Sequence, residues 1–340
     1  MNAVNFAIVG LGFGASRVEL FGAVPGANLV AVVDADAARA EEVGRRHNVS
    51  WSTDVDDVLK REDVDVVGIY TPSGMHRDVA LAAAQAGKHL LMTKPLEVSL
   101  ERIDEILLTA KQCGVEVFAE FYLRYEPDHY RMHQAIAGGL IGPPILGDFA
   151  FKCYRPQWYF DMGGGWRGTK EFNGGGIMMN QAIHFVDLLY WHLGDVAEVQ
   201  ATAGTFAHQI EVEDTAAAVL RMRSGAIATF VGTTTFQTRR CFYEPYGGGS
   251  LTRAEINGPR GSVSIVDDVL GEVVLEPGTE LPGLVKPPNV LADVVAALAD
   301  PAYRSPALVR GDEARKSVEI VDALYRAAAT GERVAVGTGR

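Results

Sequence analysis

A short apolar run that ends in closely spaced glycines near the amino terminus constrains the fold of this chain most. Phe6–Val9 has the composition of a buried parallel strand, and Gly10-x-Gly12-x-x-Ala15 follows it directly. A strand that turns into a helix through glycines presents backbone N–H groups and the positive end of the helix dipole to an anion. Gly10 permits the tight turn, Gly12 lets a pyrophosphate approach, and the small Ala15 lets helix and strand pack closely. The stretch therefore predicts a dinucleotide-binding turn.

An acidic residue at the end of the second predicted strand supports the same interpretation. Asn28–Val33 is followed by Asp34, at about the distance from the glycines at which a carboxylate binds a ribose 2′-hydroxyl. A 2′-phosphate would meet this carboxylate, and Ala35 offers no adjacent cation, so the sequence favours NAD over NADP. Arg39, one turn into the next helix, is a cation that would soften this preference. The alternative is an ordinary turn and an aspartate that caps the strand.

Composition and charge argue against several other functions. The net charge of -12 disfavours a nucleic-acid-binding surface, and no apolar run is long enough to span a bilayer. The three cysteines are scattered, without disulfide or metal-ligand spacing, which is typical of a reducing cytosol. Because the chain enters its first strand almost at once, we expect no signal peptide. These features predict a cytoplasmic protein that binds no metal, nucleic acid or membrane.

The pattern of apolar residues changes along the chain and predicts two domains, 1–122 and 123–340. Five strands alternate with helices in the first, which predicts a right-handed, doubly wound parallel sheet. From about Asp148 the strands are longer and alternate polar with apolar residues, which predicts an antiparallel sheet. The predicted strands are Phe6–Val9, Asn28–Val33, Val64–Tyr70, His89–Met92, Val115–Phe121, Gly147–Tyr154, Val196–Phe206, Asp214–Met222, Ala226–Phe236, Glu255–Gly258 and Ser262–Val266. Two long helices, Gly176–Leu193 and Asp312–Thr330, complete the second domain, and the last is a candidate for packing back on the first.

Two loops that follow predicted strands of the parallel sheet carry candidate site residues. Thr71-Pro72-Ser73-Gly74-Met75-His76 follows the third strand, and Thr93-Lys94-Pro95 follows the fourth. Both lie at the carboxyl edge of the sheet, where open α/β sheets bind ligands. Lysine is rare at the end of a buried strand because its charge resists desolvation. Burial lowers a lysine pKa, and a value of about 7–8 suits proton exchange with a substrate hydroxyl. The alternative for Lys94 is a surface lysine that follows a strand.

Asn180 and His184 are four residues apart on the predicted helix, so both would face the same way. Gly174-Gly175-Gly176 opens this helix. A neutral imidazole beside a carboxamide can accept or pass a proton and orient a polyol. Asp187 continues the polar stripe and is a candidate to orient the imidazole or to cap a neighbouring element. The alternative is a buried helix histidine that is hydrogen-bonded to a carbonyl.

A glycine-rich loop is surrounded by aromatic and arginine side chains. They are Tyr154, Arg155, Trp158, Trp166 and Arg167. Aromatic faces stack on the C–H surfaces of sugars, and arginine donors reach hydroxyls or a carboxylate. The same side chains would equally serve to anchor the loop on the sheet, and both interpretations stay open.

Together these residues resemble the Gfo/Idh/MocA family, the glucose–fructose oxidoreductase and inositol dehydrogenase group. The resemblance covers nearly the whole chain. The glycine turn, Thr71-Pro72-x-x-x-His76, Lys94-Pro95 and Gly174-Gly175-Gly176-x-x-x-Asn180-x-x-x-His184-x-x-Asp187 occur in the order and spacing of the family. The family usually has Glu-Lys-Pro, and many members have Asp four residues before the histidine. Here Thr93 and Asn180 stand at those positions, which moves the assignment of the acid/base towards Lys94.

The resemblance implies an α/β fold with an N-terminal Rossmann domain and a C-terminal α+β domain with a large, mostly antiparallel open sheet. It implies hydride transfer between the C4 of NAD and a secondary hydroxyl or keto carbon of a sugar, sugar derivative or cyclitol. Lys94 would exchange the hydroxyl proton, while His184 and Asn180 would position the substrate. The residues expected at the cofactor are Gly10, Gly12, Phe13, Gly14, Asp34, Arg39, Thr71, Pro72, Ser73, His76, Thr93 and Lys94. An exposed sheet face suggests a homodimer or homotetramer.

Three other functions are compatible with parts of this pattern. The same chemistry in reverse would make the protein a keto-sugar reductase of a biosynthetic route. The Thr93 and Asn180 departures would also suit a sensor that binds NAD without turnover. Carbohydrate binding without a cofactor would require that no nucleotide binds, which Gly10, Gly12 and Asp34 argue against.

Overall fold

The structure is a computed structural model and describes residues 3–238 and 249–337, so that Cys241 lies outside the described residues. The strands are β1 (Val4–Val9), β2 (Ala27–Val33), β3 (Ser50–Ser52), β4 (Val66–Ile69), β5 (His89–Thr93), β6 (Val117–Glu120), β7 (Leu146–Cys153), β8 (Val196–Gly204), β9 (Thr215–Met222), β10 (Ile227–Thr233), β11 (Ser250–Gly258), β12 (Gly261–Val266), β13 (Val269–Leu275), β14 (Val309–Arg310) and β15 (Val334–Ala335). The helices are α1 (Leu11–Val18), α2 (Ala37–His47), α3 (Asp56–Leu59), α4 (His76–Gln85), α5 (Leu100–Cys113), α6 (Pro127–Ala137), α7 (Gln157–Asp161), α8 (Lys170–Asn173), α9 (Ile183–Leu193), α10 (Val290–Ala299) and α11 (Gly311–Thr330). Within the described ranges, no helix has the length and apolar character needed to cross a membrane.

The chain forms two compact units. The first comprises the chain up to Tyr122 together with Pro287–Arg315, and the second comprises Leu123–Lys286 and the chain from Lys316 onward. The segment Pro287–Arg315, which the sequence pattern assigns to the second domain, thus belongs to the first unit. Its two-residue strand β14 pairs with β6, and α10 buries apolar side chains such as Val290, Leu291 and Val294.

The first unit contains a seven-stranded sheet with the order β14-β6-β5-β4-β1-β2-β3. All neighbours pair in parallel except β14 and β6. The strand order β3-β2-β1-β4-β5-β6 is that of a Rossmann fold, so the predicted doubly wound sheet is confirmed. The central strands are buried on both faces, as Phe6, Ile8, Ile69 and Leu91 show with no exposed surface. The sheet therefore presents the carboxyl ends of β1, β4 and β5 side by side.

The second unit contains an eight-stranded sheet with the order β13-β12-β11-β7-β10-β9-β8-β15. Its neighbours are antiparallel except β7 and β10, which are parallel, so the prediction of a mostly antiparallel sheet is confirmed. Strand β9 alternates buried Ala216, Ala218 and Leu220 with more exposed residues, and Val219 is 52% exposed. One face of this sheet thus supports a core and the other faces solvent.

Local sequence signals set the ends of several helices. The Asp36 side chain accepts from the backbone N–H groups of Ala38 and Arg39 and caps α2. Ser99 caps α5 in the same way, and Gly331 follows α11 with a positive φ of 72°. The first helix follows the glycine turn without a gap, because α1 begins at Leu11, directly after Gly10.

Candidate active site

The glycine turn between β1 and α1 has the geometry expected of an anion site. Gly10 has φ 89°, and a Cβ there would lie 2.7 Å from the backbone of Tyr70 and Thr71, so only glycine fits. A Cβ on Gly12 would meet nothing within 4 Å, so the backbone there faces open space at the start of the helix. Close packing of helix on strand falls to Gly14, whose Cβ would lie 3.1 Å from Ile8 and Tyr70, and not to Ala15 as predicted.

Asp34 lies beside this turn and is held by it. The backbone N–H of Leu11 donates to Asp34 Oδ2 at 2.6 Å, and the N–H of Asp36 donates to Oδ1 at 2.9 Å. Arg39 Nη1 lies 3.1 Å from Oδ1. Asp34 is 8% exposed, so its carboxylate is fixed next to the helix start where the sequence predicts a ribose. These residues fit a dinucleotide with Gly12 at the pyrophosphate and Asp34 at the adenosine ribose.

The loop after β4 carries the predicted residues Thr71, Pro72, Ser73 and His76. Thr71 Oγ1 is buried and has no hydrogen-bond partner in the described part of the chain, as suits a group that awaits a ligand. His76 is fully buried, with Nε2 2.9 Å from the Thr71 carbonyl oxygen and Nδ1 3.1 Å from that of Pro95. His76 therefore holds the loops after β4 and β5 together. Contrary to the prediction, its side chain is not exposed for contact with a cofactor.

Lys94 follows β5 directly, and the Lys94–Pro95 peptide bond is cis. The side chain is partly buried, and desolvation lowers the pKa of Lys94 to about 8. The negative charge of Glu120 raises this pKa and the positive charge of Arg17 lowers it further. An amine with a pKa near neutrality can both take and return a proton.

Two further residues predicted at the cofactor lie on the same edge of the sheet. Phe13 is 50% exposed, with its ring 6.3 Å from that of Tyr70 and 4.5 Å from the Arg17 guanidinium carbon. Thr93 is the last residue of β5 and is partly buried. Both are therefore available at the edge where Lys94 and Thr71 lie.

In the second unit, the segment that carries Asn180 differs from the prediction. Helix α9 begins at Ile183, so His184 lies in its first turn while Asn180 lies in the preceding turns and not on the helix. His184 is 7% exposed. Asn180 Nδ2 donates to Asn173 Oδ1 at 2.8 Å, and Asn173 Nδ2 donates to the Arg167 carbonyl oxygen at 2.9 Å. Asn173 thus ties Asn180 to the loop of Trp166 and Arg167.

Glu213 fixes the turns before α9 and was missed by the sequence analysis. Its carboxylate accepts from the backbone N–H of Gly176 at 2.8 Å and of Met178 at 3.0 Å. The Tyr325 hydroxyl donates to the same carboxylate at 2.8 Å. These donors lower the pKa of Glu213, but desolvation outweighs them and raises it. These contacts hold the turns before α9 against Glu213 through the N–H groups of Gly176 and Met178.

Asp187 forms a buried ion pair with Arg124. Arg124 Nε and Nη2 each donate at 2.7 Å, one to each oxygen of the carboxylate. Both side chains are at most 1% exposed. Because Asp187 lies one turn beyond His184, this pair anchors the helix that carries the imidazole. Arg124 was not singled out from the sequence, since it lies outside the motifs.

Two arginines of the predicted substrate loop, Arg155 and Arg167, lie over the ring of Tyr159, which sequence analysis missed. The guanidinium carbons of Arg155 and Arg167 lie 5.3 and 5.1 Å from its ring centroid. Gln181 Nε2 donates to the Tyr159 hydroxyl at 3.1 Å. Trp158 is 42% exposed, and the Arg167 guanidinium carbon lies 4.7 Å from the Trp166 ring. Tyr154 is partly buried and bridges to Thr235. The loop therefore has an anchor in Tyr159 and an exposed aromatic face in Trp158.

Two family models match most of the chain. Residues 4–121 match the oxidoreductase family with an NAD-binding Rossmann fold, and residues 129–264 match the GFO/IDH/MocA C-terminal domain. The chain belongs to the GFO/IDH/MocA family of oxidoreductases. The family resemblance predicted from the motifs is thus confirmed, and with it the NAD-binding Rossmann domain.

Two curated relatives match 95% and 77% of this chain. The 1,5-anhydro-D-fructose reductase of Ensifer adhaerens is 30% identical over 334 residues, which are 95% of this chain and 96% of the relative. The scyllo-inositol 2-dehydrogenase (NAD(+)) of Bacillus subtilis strain 168 is 32% identical over 274 residues, which are 77% of this chain and 73% of the relative. Among solved structures, the WlbA dehydrogenase of Bordetella pertussis in complex with NADH and UDP-GlcNAcA has a TM-score of 0.86 and 26% identity. That comparison covers 98% of this chain and 99% of the other.

Proposed function

We propose that this oxidoreductase transfers a hydride between NAD and a secondary hydroxyl or keto carbon of a sugar, sugar derivative or cyclitol, with Lys94 as the acid/base. The observation that carries the proposal is the partly buried Lys94 amine, with its pKa lowered to about 8, at the edge of a Rossmann sheet. Its relatives support the substrate class, since they include a reductase of an anhydro-sugar and a dehydrogenase of an inositol.

Lys94 moves the proton in this scheme. NAD, when bound, supplies the hydride acceptor at its nicotinamide C4. In the oxidative direction the uncharged Lys94 amine takes the hydroxyl proton, the carbinol C–H bond breaks with its electron pair, and the C–O bond becomes a carbonyl. In the reductive direction the Lys94 ammonium returns a proton to the oxygen. Because this chain matches 96% of the length of an anhydro-sugar reductase, reduction of a keto group is a second candidate for the physiological reaction.

We assign the substrate-side roles to residues of the second unit. His184 and Asn180 position the reacting hydroxyl, with Asn180 fixed through Asn173. The sugar ring and its hydroxyls are contacted by the aromatic and arginine side chains of the substrate loop, which are Tyr154, Trp158, Trp166 and Arg167. The exposed Trp158 face suits the stacking of a sugar C–H surface, whereas the Arg167 guanidinium donates to hydroxyls.

The test is Lys94→Met, which keeps the length of the side chain and removes the exchangeable proton. We expect kcat to fall about 10²–10⁴-fold with NAD affinity unchanged, because general acid–base catalysis contributes about that factor. Turnover would be followed by NADH absorbance in both directions against a panel of hexoses and cyclitols. Lys60→Met, an exposed lysine on the same unit, is the control.

The pH dependence provides a second readout of the same assignment. In the oxidative direction, kcat/KM should rise with pH to a plateau above about 8, because only the uncharged amine of Lys94 accepts a proton. In the reductive direction it should fall above the same pH. Turnover by Lys94→Met close to that of the unmodified protein would refute the assignment.

We further propose that the protein works in the cytoplasm as a homodimer or homotetramer. The solvent-facing side of the second sheet offers Val219, Ile227 and Leu146 at 52%, 49% and 42% exposure. Substitution of Val219 and Ile227 by lysine should shift the sedimentation equilibrium towards the monomer. An unchanged mass for this variant, or a monomeric mass for the unmodified protein, would contradict the proposed assembly.

A further inference from the structure

A buried carboxylate of β6 lies next to the strand that ends at Lys94. Glu120 is the last residue of β6 and pairs in register with Thr93, which directly precedes Lys94. Residues paired in adjacent parallel strands project from the same face of a sheet. The Glu120 carboxylate therefore lies on the face to which position 93 points, where the Glu-Lys-Pro pattern of the family would have its glutamate.

Glu120 is held in place by partners from two other elements. Arg17 Nε, on α1, lies 2.8 Å from Glu120 Oε1, and Tyr70, after β4, interacts electrostatically with the same carboxylate. Glu120 is 4% exposed. A charge this buried is costly unless it is paired, so burial raises the pKa of Glu120 while the charge of Arg17 opposes that rise.

We propose that Glu120 is a positioning residue that holds the Lys94 amine and tunes its protonation, in place of the carboxylate that position 93 lacks. This inference rests on the proposed role of Lys94 as the acid/base. Thr93 is the last residue of β5 and carries no charge, and Glu120 supplies a negative charge from the neighbouring strand β6. The resulting arrangement has Tyr70, Lys94 and Glu120 at the carboxyl ends of β4, β5 and β6. Arg17 joins them from α1.

The charged and titratable groups around Lys94 in the first unit fix the direction of the effect. Glu120 on β6 raises the pKa of Lys94, and Arg17 on α1 lowers it. Burial keeps His76 on α4 uncharged by lowering its pKa, and burial raises the pKa of Tyr70 well above its ordinary value. Removal of the Glu120 charge therefore leaves Lys94 with Arg17 and desolvation, which both favour the neutral amine.

The first test is the pKa of the Lys94 amine itself in Glu120→Gln. Carbamylation of Lys94 by cyanate, followed across pH by mass spectrometry, needs no substrate and no turnover. We expect the midpoint to fall by about one pH unit, which is the size of effect of a nearby opposite charge. The rise of kcat/KM in the oxidative direction should move to lower pH by the same amount. Glu62→Gln, an exposed carboxylate of the same unit, should leave both midpoints unchanged.

A charge swap tests the proposal even if Glu120→Gln fails to fold. The double variant Thr93→Glu with Glu120→Gln moves the carboxylate across the register pair and preserves the net charge. Its carbamylation midpoint should return to that of the unmodified protein. A folded Glu120→Gln with an unchanged Lys94 midpoint would overturn the inference, as would a swap that leaves the midpoint about one unit low. Carbamylation measures the protonation of the Lys94 amine without turnover. If the proposed reaction were wrong but this inference correct, the labelling midpoint would still shift and only the kinetic profile would differ from expectation.

Discussion

Asp34 has three protein partners before any ribose reaches it. The N–H of Leu11 and the N–H of Asp36 orient its oxygens, and Arg39 pairs with the same carboxylate. The backbone bonds explain why the carboxylate faces the helix start. The Arg39 contact places a cation next to the position at which a 2′-phosphate would meet Asp34.

This arrangement predicts how the choice of cofactor responds to mutation. The unmodified protein should use NAD with the higher kcat/KM, because Asp34 accepts from the ribose hydroxyls and repels a 2′-phosphate. Asp34→Ser should lower kcat/KM with NAD about 10- to 100-fold, the worth of a hydrogen bond to a charged group, and should raise it with NADP. Kinetics with both cofactors check this.

The variant Arg39→Gln separates the contribution of Arg39 to cofactor choice from that of Asp34. If Arg39 serves only to orient Asp34, this variant should change kcat/KM with NAD and leave the low kcat/KM with NADP unchanged. A higher kcat/KM with NADP than with NAD in the unmodified protein would contradict our assignment of Asp34.

Residues with a local signal were predictable, and residues that act across the fold were not. Asp34 and Lys94 stand at the ends of strands whose composition is evident in the sequence. Glu120 has the same kind of signal, an acid at the end of a predicted strand, and could have been found. The partner of Asp187 could not, because Arg124 is 63 residues away along the chain.

The turns from Gly176 to Ala182 show where reasoning about whole elements failed. The spacing of Asn180 and His184 predicts one continuous helix, yet α9 begins only at Ile183. Glu213 binds the N–H groups of Gly176 and Met178, and no periodicity in the segment itself contains that information. The residue types of the candidate site were predictable, but the backbone that carries Asn180 was not.

The fit of these turns against Glu213 predicts a sharp intolerance at Gly176. An added Cβ would lie 1.7 Å from the Glu213 carbonyl oxygen, so the two segments must separate. Gly176→Ala should lower the free energy of unfolding by about 1–3 kcal/mol or more, as overpacked sites do. Urea denaturation measures this.

Gly283→Ala is the matched control, because a Cβ there meets nothing within 4 Å. It should change the free energy of unfolding by less than about 0.5 kcal/mol, the usual range for surface substitutions. Equal effects of the two substitutions would contradict the described packing of Glu213 on the turns.

At the level of the whole molecule, buried histidines in the second unit link stability to pH. The His133 ring stacks on Trp191 at 3.9 Å, and burial lowers its pKa to about 4. His192 is 5% exposed, and desolvation lowers its pKa well below the ordinary value. Both therefore stay uncharged in the folded protein at pH values where the unfolded chain binds protons.

This difference predicts a loss of stability in mild acid. The stabilising contribution is fully present above about pH 6.5 and is lost as pH falls towards about 4, by about 1.4 kcal/mol per pH unit for each histidine that protonates only on unfolding. Urea denaturation at pH 7.5, 6.0 and 5.0 measures the slope. His192→Leu should reduce it by the share of one histidine.

The comparison with the variant isolates the histidine from other buried groups. Burial raises the pKa of Glu97 and Glu213, which acts in the opposite sense, but both contributions are the same in the two proteins. An identical slope with and without His192 would show that its ring is not kept neutral by the fold.

The return of Pro287–Arg315 to the first unit has a consequence for synthesis of the chain. Strand β14 covers the edge of β6 through the pairs Val309–Ala119 and Arg310–Phe118. A ribosome must therefore translate as far as Arg310 before the nucleotide-binding sheet gains the strand β14. Until then β6 has an open edge, which other nascent chains can pair with. A gene fragment that stops after codon 122 encodes a sheet in this exposed state, so expression of the isolated nucleotide-binding half calls for a graft of the 287–315 segment.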